Sequence, residues 1–371
     1  VIISGQVPTT IIGTDGFQEI DAVGISRPCT KHNYLVNKIE DLPRIIKEAF
    51  HLASTGRPGP VHVDIPKDIT AQIGEFIYPS EVNMPTYKPT LNYNKKQLKR
   101  AMEAISNAKK PLLYIGGGAI LSNCGYEIRD LAKKLNIPAV ETLMARGVMG
   151  DENPLFFGML GMHGEYAANM AAHETDLLIS LGARFDDRVT GRLDEFASKA
   201  KVIHIDIDPT SIAKLVVADY PIVGDLKLTV QAMIEDAENY EINDFSNWVE
   251  LLKDYREKEP LRYIDTDDLI KPQWPIQRVG KILGDNAIIS TDVGQHQMWT
   301  SQFFPFSYPR QWITSGGLGT MGFGLPAALG AARAFKGTNR VVVNFTGDGS
   351  ILMNIQELMT CSEYELPVIN I

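Results

Sequence analysis

The chain has 371 residues, of which 44% are hydrophobic and 22% charged; this composition excludes a disordered protein, a collagen-like repeat and a small disulfide scaffold. The net charge of −9 argues against a protein that binds the phosphate backbone of nucleic acids, and no apolar run approaches the roughly 18 residues that a membrane helix needs. Three widely spaced cysteines predict neither a disulfide framework nor a zinc site and fit a reducing, cytoplasm-like compartment.

The first 70 residues alternate strand-like runs with one helical stretch. Residues 41–53 have apolar side chains at helical spacing, and a Gly-Pro break precedes a short strand at residues 61–65. From about residue 72 to 94, Pro, Tyr and Asn recur without a period, which predicts a linker. The chain begins and ends in apolar runs typical of buried strands, so we expect it to be an internal piece of a longer protein.

The remaining residues predict two further units. In the second, Asn94 is a candidate helix cap, and strands are expected at Pro111–Ile115, 176–181 and 202–207. The polar stretch 235–268 is expected to be a second connector. The third unit has strands at 287–290 and 340–345. This alternation predicts an α/β fold of three domains with parallel sheets, the first and last of them truncated.

The sharpest local motif is Gly347-Asp-Gly-Ser350, which directly follows a predicted strand. Open parallel sheets bind ligands at the carboxyl ends of their strands. Asp348 could hold a hard divalent cation there, and the flanking glycines would let backbone amides approach phosphates. The alternative is an ordinary Asp-Gly turn between a strand and a helix.

Two other loops point to the same edge of this sheet. Four glycines between Gly316 and Gly322 precede a helix, an arrangement that favours an anion at the helix N-terminus, with tight helix packing as the alternative. Asp292-Val-Gly-Gln-His296 follows the strand at 287–290. His296 can donate or accept a proton near neutral pH, although a lone histidine is more often structural.

The first two units carry weaker motifs. Gly116-Gly-Gly118 follows a strand and is either a nucleotide-binding turn or a flexible connection to a helix. Arg184-Phe-Asp-Asp-Arg188 either provides an arginine fork for a carboxylate or phosphate, or forms an Arg–Asp pair in a solvated loop. Lys67 is either an anion contact or an ordinary exposed lysine. The seven histidines and three cysteines show no metal-ligand spacing, and the sequence has no Gly-x-Ser-x-Gly nucleophile elbow.

Together these motifs resemble those of thiamine-diphosphate enzymes, and most closely the catalytic subunits of the acetolactate synthase family. The similarity begins at Ser4 and extends to the last residue. The motifs that carry it follow the family's order: Ser4-Gly-Gln-Val-Pro8, Gly13-Thr-Asp-Gly-Phe-Gln-Glu19, Lys31-His-Asn-Tyr34, Arg57-Pro-Gly-Pro-Val61, Asp64-Ile-Pro-Lys67, Gly158-Met-Leu-Gly-Met-His-Gly164, Gly182-Ala-Arg-Phe-Asp-Asp-Arg-Val-Thr-Gly191, His204-Ile-Asp-Ile-Asp208 and Gly347-Asp-Gly-Ser350.

The resemblance implies a domain organisation of the thiamine-diphosphate enzyme type. Residues 1–75 would be the C-terminal part of the pyrimidine-binding domain, and residues 94–235 a central, Rossmann-like domain that binds FAD. Residues 271–371 would be the N-terminal part of the domain that binds the diphosphate and Mg²⁺. Residues 76–93 and 236–270 would be linkers.

The resemblance also implies roles for individual residues. Arg188 would hold the carboxylate of a second keto acid, and Gln18 and Lys67 would lie near the substrate channel; these are the candidate catalytic residues. Thiamine diphosphate would contact Val293, Gly294, Gln295, His296, Gly319, Met321, Asp348, Gly349 and Ser350, and Asp348 would ligate the metal. FAD would contact Arg57, Gly116, Gly117, Thr142, Leu143, Met144, Leu160, Gly161, Met162, His163, Gly182, Ala183, Arg184, Asp206, Ile207 and Asp225.

The implied reaction is that of an acetolactate synthase in branched-chain (isoleucine and valine) amino-acid biosynthesis. Pyruvate is decarboxylated on thiamine diphosphate, and the two-carbon unit condenses with pyruvate or 2-ketobutyrate to acetolactate or acetohydroxybutyrate. FAD would be structural. The resemblance further implies a homodimer or homotetramer whose active sites lie between subunits, together with a small regulatory subunit. A bacterial protein of this kind would be cytoplasmic and a eukaryotic one organellar.

The family's catalytic glutamate would precede Val1, and the Asn pair that closes its cofactor signature would follow Ile371. This span alone is therefore expected to be inactive. Glyoxylate carboligase and pyruvate oxidase share the fold and are the nearest alternatives, but Arg188 favours the keto-acid carboligase. A non-catalytic nucleotide-binding module is the alternative from another class, and it would leave the loops at 315–350 unexplained.

Overall fold

A computed structural model describes residues 1–371. It contains three β-sheets, and every strand pairing within them is parallel. The chain divides into two compact units, Val1–Leu91 and Asn92–Ile371. The predicted α/β class with parallel sheets is therefore confirmed, while the domain boundaries implied by the resemblance stay a prediction.

The first unit has a three-stranded sheet in the order β1-β3-β2. Its elements are β1 (Ile2–Gln6), α1 (Ala22–Ser26), β2 (His32–Leu35), α2 (Leu42–Ser54), β3 (Val61–Pro66) and α3 (Lys67–Thr70). Helix α2 buries Ile45, Ala49 and Leu52, which are spaced four and three residues apart and therefore lie on one face. This spacing is why the sequence predicts the helix within one residue at each end. Residues 71–94 contain neither helix nor strand, as expected of a linker.

The second unit begins with a six-stranded sheet in the order β6-β5-β4-β7-β8-β9. Its elements are α4 (Lys95–Asn107), β4 (Pro111–Ile115), α5 (Gly118–Leu121), α6 (Gly125–Leu135), β5 (Ala139–Glu141), β6 (Phe156–Met159), α7 (Tyr166–Glu174), β7 (Leu177–Leu181), α8 (Asp187–Thr190), β8 (Lys201–Asp206), β9 (Tyr220–Val223), α9 (Leu226–Asp236) and α10 (Ser246–Lys258). This is the strand order of a dinucleotide-binding fold. The order reverses between β4 and β7, where such sheets bind ligands outside the carboxyl ends of the strands.

Strands β4, β7 and β8 confirm the predicted strands within one residue at each end. Every residue of β4 and β7 is buried, because helices cover both faces of a parallel sheet and no polar side is needed. Continuous apolar runs are therefore a reliable signal for these central strands.

The expected second connector differs from the observed structure. Helix α10 lies within it and buries Trp248, Val249 and Leu252 in the core of the central sheet. The indole Nε1 of Trp248 donates to the carbonyl of Pro111 at 3.0 Å, which joins the helix to the first residue of β4. The polar composition hides this helix in the sequence because only one narrow stripe of it is apolar.

The third sheet has the order β11-β10-β12-β13. Its elements are α11 (Gln273–Leu283), β10 (Ala287–Thr291), α12 (Gln295–Phe303), β11 (Trp312–Thr314), α13 (Gly324–Ala334), β12 (Val341–Phe345), α14 (Asp348–Leu352), α15 (Glu357–Glu363) and β13 (Val368–Asn370). Helix α13 packs Leu325 and Ala328 against Ile288 and Val342 of the two central strands. None of the helices in the chain is both long and apolar enough to span a lipid bilayer.

Candidate functional site

A cavity of about 490 Å³ lies at the carboxyl ends of β10 and β12. Of the nine residues that the resemblance assigns to thiamine diphosphate, it is lined by Val293, Gly294, Gln295, His296, Met321, Asp348, Gly349 and Ser350. The ninth, Gly319, lies beside it, since a Cβ built on Gly319 would be 3.7 Å from Val293 Cγ1. The structure thus brings together three loops that are separated in the sequence.

The loops converge because β10 and β12 are neighbours in the sheet. Thr291 pairs with Phe345 at the end of the two strands, and the amide of Asp292 donates to the carbonyl of Phe345 at 3.0 Å. Residues 292–294 connect β10 to helix α12. The first amide groups of α12 have no acceptor within the helix and give this end a partial positive charge. A phosphate group fits such an end.

His296 presents an unsatisfied nitrogen at this cavity. Its Nε2 is buried and has no hydrogen-bond partner. The ring is held between Gly294 and Gly347, since a Cβ on either residue would come within 2.9 Å and 3.2 Å of His296 Cε1. Burial lowers the pKa of His296, although the charge of Asp292 opposes the shift. The ring is therefore neutral at neutral pH, and a polar ligand atom would satisfy its free nitrogen.

Asp348 is exposed at the surface of the cavity and is the first residue of α14. Ser350 lies two residues later and donates its hydroxyl to the carbonyl of Val293 at 3.3 Å. The Asp348 carboxylate can ligate Mg²⁺, which takes oxygen ligands from a carboxylate and from phosphate, and the start of α12 suits the phosphate oxygens. The residues present thus fit a magnesium-bound diphosphate.

A second set of residues lies at the carboxyl edge of the central sheet. Residues of this edge that the resemblance assigns to FAD follow β4 to β9 one strand after another; they are Gly116, Gly117, Thr142, Leu143, Met144, Leu160, Gly161, Met162, His163, Gly182, Ala183, Arg184, Asp206, Ile207 and Asp225. Thr142 Oγ1 is buried there without a hydrogen-bond partner, as expected if a ligand completes the edge. Arg57 lies in the other unit, in the turn between α2 and β3.

Gly116 and Gly117 occupy different environments. The amide of Gly116 donates to Leu181 at 3.0 Å, and a Cβ on Gly116 would lie 2.3 Å from the carbonyl oxygen of Gly182. Gly116 therefore permits close packing of the turns after β4 and β7. A Cβ on Gly117 would instead meet the side chain of Met144 at 3.1 Å. Packing accounts for Gly116, and a cofactor contact at either glycine stays a prediction.

His204 supports the same edge from within the sheet. Its Nε2 lies 3.1 Å from the carbonyl oxygen of Ala183, so this nitrogen carries the proton and donates. Its Nδ1 is buried without a partner, and the ring of Phe185 contacts the imidazole edge-on at a centroid distance of 5.0 Å. Burial lowers the pKa of His204 from 6.5 to about 4.

We expect His204 to make the protein less stable in mild acid. As the pH falls through 6.5, the unfolded chain takes up a proton that the folded state refuses until about pH 4. The free energy of unfolding should therefore fall by about 2 kcal/mol between pH 7 and pH 5 from this residue. Urea unfolding at both pH values should show that His204→Gln loses this part of the dependence. The exposed His173→Gln is the control, and equal pH slopes for both variants would contradict the assignment.

The two arginines of the charged loop after β7 differ in their pairing. Arg184 forms an ion pair with Asp186 at 3.1 Å, as the solvated-loop alternative predicts. Arg188 lies on α8 with 70% of its side chain exposed and is 4.0 Å from Asp187, at the limit of an ion pair. Its Nη1 lies 3.7 Å from Met162 Sδ. The guanidinium of Arg188 therefore keeps hydrogen-bonding capacity for a carboxylate ligand.

Two candidate catalytic residues lie in the first unit. Gln18 is exposed in the loop between β1 and α1 and has a φ of 63°. Lys67 is exposed and is the first residue of α3, directly after β3. Their part in a substrate channel stays a prediction.

Sequence reasoning missed a buried ionic cluster between the central and third sheets. Arg146 donates to Glu141 at 3.2 Å, to Asp151 at 2.9 Å and, through Nε, to the carbonyl of Ser301 in α12 at 2.9 Å. Burial lowers the pKa of the Arg146 guanidinium, but the neighbouring charges of Asp151 and Glu141 outweigh this effect and raise the pKa, so the side chain stays charged. The cluster connects the loop after β5 to α12, whose first two residues are Gln295 and His296. Nothing in the local sequence distinguishes Arg146 from an exposed loop arginine.

Comparison with known proteins yields two family matches. Residues 98–233 match the central domain of thiamine pyrophosphate (thiamine diphosphate) enzymes, and residues 292–371 match their C-terminal TPP binding domain. The second match begins at Asp292 and includes every thiamine-diphosphate residue named above.

Curated relatives are similar to this chain over its whole length. The large subunit of acetolactate synthase isozyme 3 of Escherichia coli (strain K12) is 47% identical over 375 residues, which cover 100% of this chain and 65% of that protein. The acetolactate synthase large subunit of Haemophilus influenzae has the same identity and coverage. Acetolactate synthase of Mycobacterium leprae is 46% identical over 99% of this chain and 59% of its own length.

The chain thus spans about 65% of the length of the first of these relatives. The two matched domains and the identity across the whole chain agree on one assignment. The chain belongs to the thiamine pyrophosphate enzyme family and is homologous to part of the large subunit of acetolactate synthases.

Proposed function

We propose that this chain is part of an acetolactate synthase catalytic subunit, which decarboxylates pyruvate and joins the two-carbon unit to a second 2-keto acid. The observation that carries the proposal is the cavity at the carboxyl ends of β10 and β12, which is lined by Asp348, Ser350 and His296. Its donor set matches a magnesium-bound diphosphate. The relatives named above support the reaction, since each is called an acetolactate synthase.

In this proposal the residues of the third sheet bind and orient the cofactor. When bound, thiamine diphosphate supplies the electron sink that permits decarboxylation of a 2-keto acid. Asp348 would hold Mg²⁺, while Ser350 and the start of α12 would bind the diphosphate oxygens. The Ser350 hydroxyl would then exchange its bond to the Val293 carbonyl for one to a phosphate oxygen. His296 would donate to or accept from a ligand atom through its free Nε2. Met321 lines the same cavity and would support the ring portion of the cofactor.

The exposed guanidinium of Arg188 suits the carboxylate of the acceptor, pyruvate or 2-ketobutyrate. It sits on the first turn of α8, and its closest acidic neighbour is 4.0 Å away, so a substrate carboxylate could form two hydrogen bonds with it. Arg188 therefore favours an acetolactate synthase, whose acceptor is a 2-keto acid, over a glyoxylate carboligase or a pyruvate oxidase. A non-catalytic nucleotide-binding module is disfavoured by the match of residues 292–371 to a TPP binding domain.

We further propose that FAD binds at the carboxyl edge of the central sheet and acts structurally. The strand order of that sheet and the unpartnered Thr142 Oγ1 support a dinucleotide there. The name "large subunit" of two relatives supports a smaller regulatory partner, and we propose a homodimer or homotetramer of catalytic chains. The relatives come from bacteria, which supports a cytoplasmic location.

Product analysis of the full-length protein tests the reaction. Pyruvate would be supplied with thiamine diphosphate and Mg²⁺, with and without FAD. We expect acetolactate, and acetohydroxybutyrate when 2-ketobutyrate is added. Acetaldehyde or acetyl phosphate as the product would contradict the proposal and the role of Arg188.

Asp348→Asn should weaken magnesium-dependent binding of thiamine diphosphate by at least about tenfold, because an amide replaces the charged oxygen that Mg²⁺ prefers. Trp299 lines the cavity, so the change in tryptophan fluorescence on addition of the cofactor serves as the readout of binding. Asp254→Asn makes the same change of charge at an exposed position of α10 and serves as the matched control. Unchanged affinity in Asp348→Asn would remove this residue from the metal site.

A further inference from the structure

Asp292 is a buried acid of the third sheet, and both of its carboxylate oxygens accept hydrogen bonds. It follows β10 directly and its exposure is 0%. One carboxylate oxygen, Oδ1, accepts from the amides of Val293 at 2.9 Å and Gly322 at 2.8 Å. The other, Oδ2, accepts from the amide of Gly324 at 2.9 Å. Three backbone donors therefore converge on one side chain, which accounts for its tolerance of burial without a cation in contact.

These bonds join all three loops of the cavity. Val293 starts the loop that carries Gly294 to His296, whereas Gly322 lies in the glycine-rich loop, directly after Met321. The amide of Asp292 itself donates to Phe345, the last residue before the loop of Asp348. Asp292 thus sets the relative positions of three loops. They are the diphosphate loop (residues 293–296), the glycine-rich loop (residues 316–322) and the metal loop (residues 347–350).

The glycine-rich loop is held at Gly322 from a second direction. Asn354 donates its Nδ2 to the carbonyl of Gly322 at 2.7 Å, so both polar groups of this glycine are bound by side chains. Gly322 has a φ of 88°, a conformation that costs other residues free energy. Ser290 donates to the carbonyl of Gly324 at 2.8 Å. The loop is therefore fixed by side chains of the sheet and of the segment after α14.

We propose that Asp292 is a positioning residue that holds the glycine-rich loop in register with the diphosphate loop, so that the thiamine-diphosphate pocket is preformed. The inference rests on the proposed cofactor site. Asparagine at this position can accept through one oxygen only, and its amide group would face a backbone donor. Asp292→Asn consequently loses either the bond to Gly324 or both bonds of Oδ1. A preformed pocket binds its ligand more tightly because less ordering is needed on binding.

The test measures thiamine-diphosphate affinity of the full-length protein with Mg²⁺, from the change in tryptophan fluorescence as the cofactor is added. We expect Asp292→Asn to raise the Kd about tenfold, equal to about 1.4 kcal/mol. At saturating cofactor, kcat should fall much less than the affinity does. Asp176→Asn is the matched control, since that carboxylate accepts from the amides of Lys109 and Lys110 at 2.8 and 2.9 Å outside both candidate sites. Its Kd should stay within twofold of the unmodified protein.

Equal Kd values for Asp292→Asn and the unmodified protein would overturn the inference while leaving the proposed function intact. If Asp292→Asn does not fold, Asn354→Ala decides, because it releases the same loop from the opposite side. A Kd raised about threefold in Asn354→Ala supports the inference, and an unchanged Kd overturns it. Failure of the unmodified protein to bind thiamine diphosphate would overturn the proposed function and this inference together.

Discussion

Replacing Arg146 with methionine should lower the free energy of unfolding by about 3 to 5 kcal/mol, because it leaves the buried Glu141 and the partly buried Asp151 without this cation. The guanidinium is 2% exposed and lies over the rings of Phe156 and Phe306 at 5.1 and 5.3 Å. Methionine keeps most of this apolar packing, so the loss would report the charge. Urea unfolding measured at constant pH provides the comparison.

The pH dependence separates lost charge from lost packing. Burial raises the pKa of Glu141 to about 7, and Arg146 is the charge that opposes this shift. Without Arg146 the pKa rises further, so Glu141 is protonated in the folded state over more of the neutral range. A folded pKa above the unfolded one makes stability fall as pH rises, so Arg146→Met should cost more stability at pH 8 than at pH 6.

The matched control is Arg192→Met, since Arg192 pairs with Asp194 and Glu195 at the surface and is 70% exposed. Solvent screens such pairs, so no measurable change is expected. A loss of stability in Arg146→Met no larger than in this control would show that the cluster contributes little. The double variant with Glu141→Gln should recover part of the loss, because it removes one of the stranded charges.

The sequence predicts those parts of the fold that depend on local pattern. The apolar runs at 287–290 and 340–345 indicate strands, and parallel strands bring the residues that follow them to one edge of a sheet, so the sequence alone could place Asp348 and His296 together. The family resemblance then assigned roles that composition and spacing leave open. Arg188 illustrates the gain from the structure, because the pairing of Arg184 with Asp186 distinguishes two arginines that the composition of the loop alone leaves equivalent.

What the sequence does not predict depends on contacts between distant residues. Asp292 looks like any polar residue after a strand, and only the approach of Gly322 and Gly324, about thirty residues later, makes it a hub. Helix α10 was hidden because its apolar stripe is narrow and its partner, α7, lies far away in the sequence. In each case the decisive information is which distant residues come into contact, and this is a property of the folded chain.

Replacing Gly116 with alanine should abolish retention of the proposed flavin and lower stability by about 3 kcal/mol, since it overpacks a backbone crossing. Its Cβ would lie 2.3 Å from the carbonyl oxygen of Gly182 and 2.5 Å from Ala183 Cα, and neither atom belongs to a flexible side chain. The turns after β4 and β7 must separate, which weakens the bond from the amide of Gly118 to Gly182 at 3.0 Å. The crevice between β4 and β7, where the strand order of the sheet reverses, would therefore widen.

Gly330→Ala is the control for the substitution itself, because a Cβ at Gly330 in α13 meets no atom within 4 Å. It should leave stability unchanged or raise it by a few tenths of a kcal/mol, since alanine favours a helix over glycine. The flavin-to-protein ratio after purification and the unfolding midpoint are separate readouts. If the unmodified protein binds no flavin, the proposal of an FAD site is contradicted. Gly116→Ala should still lower the unfolding midpoint in that case. If the unmodified protein binds flavin and Gly116→Ala retains it equally, the close approach of the turns after β4 and β7 does not shape that site.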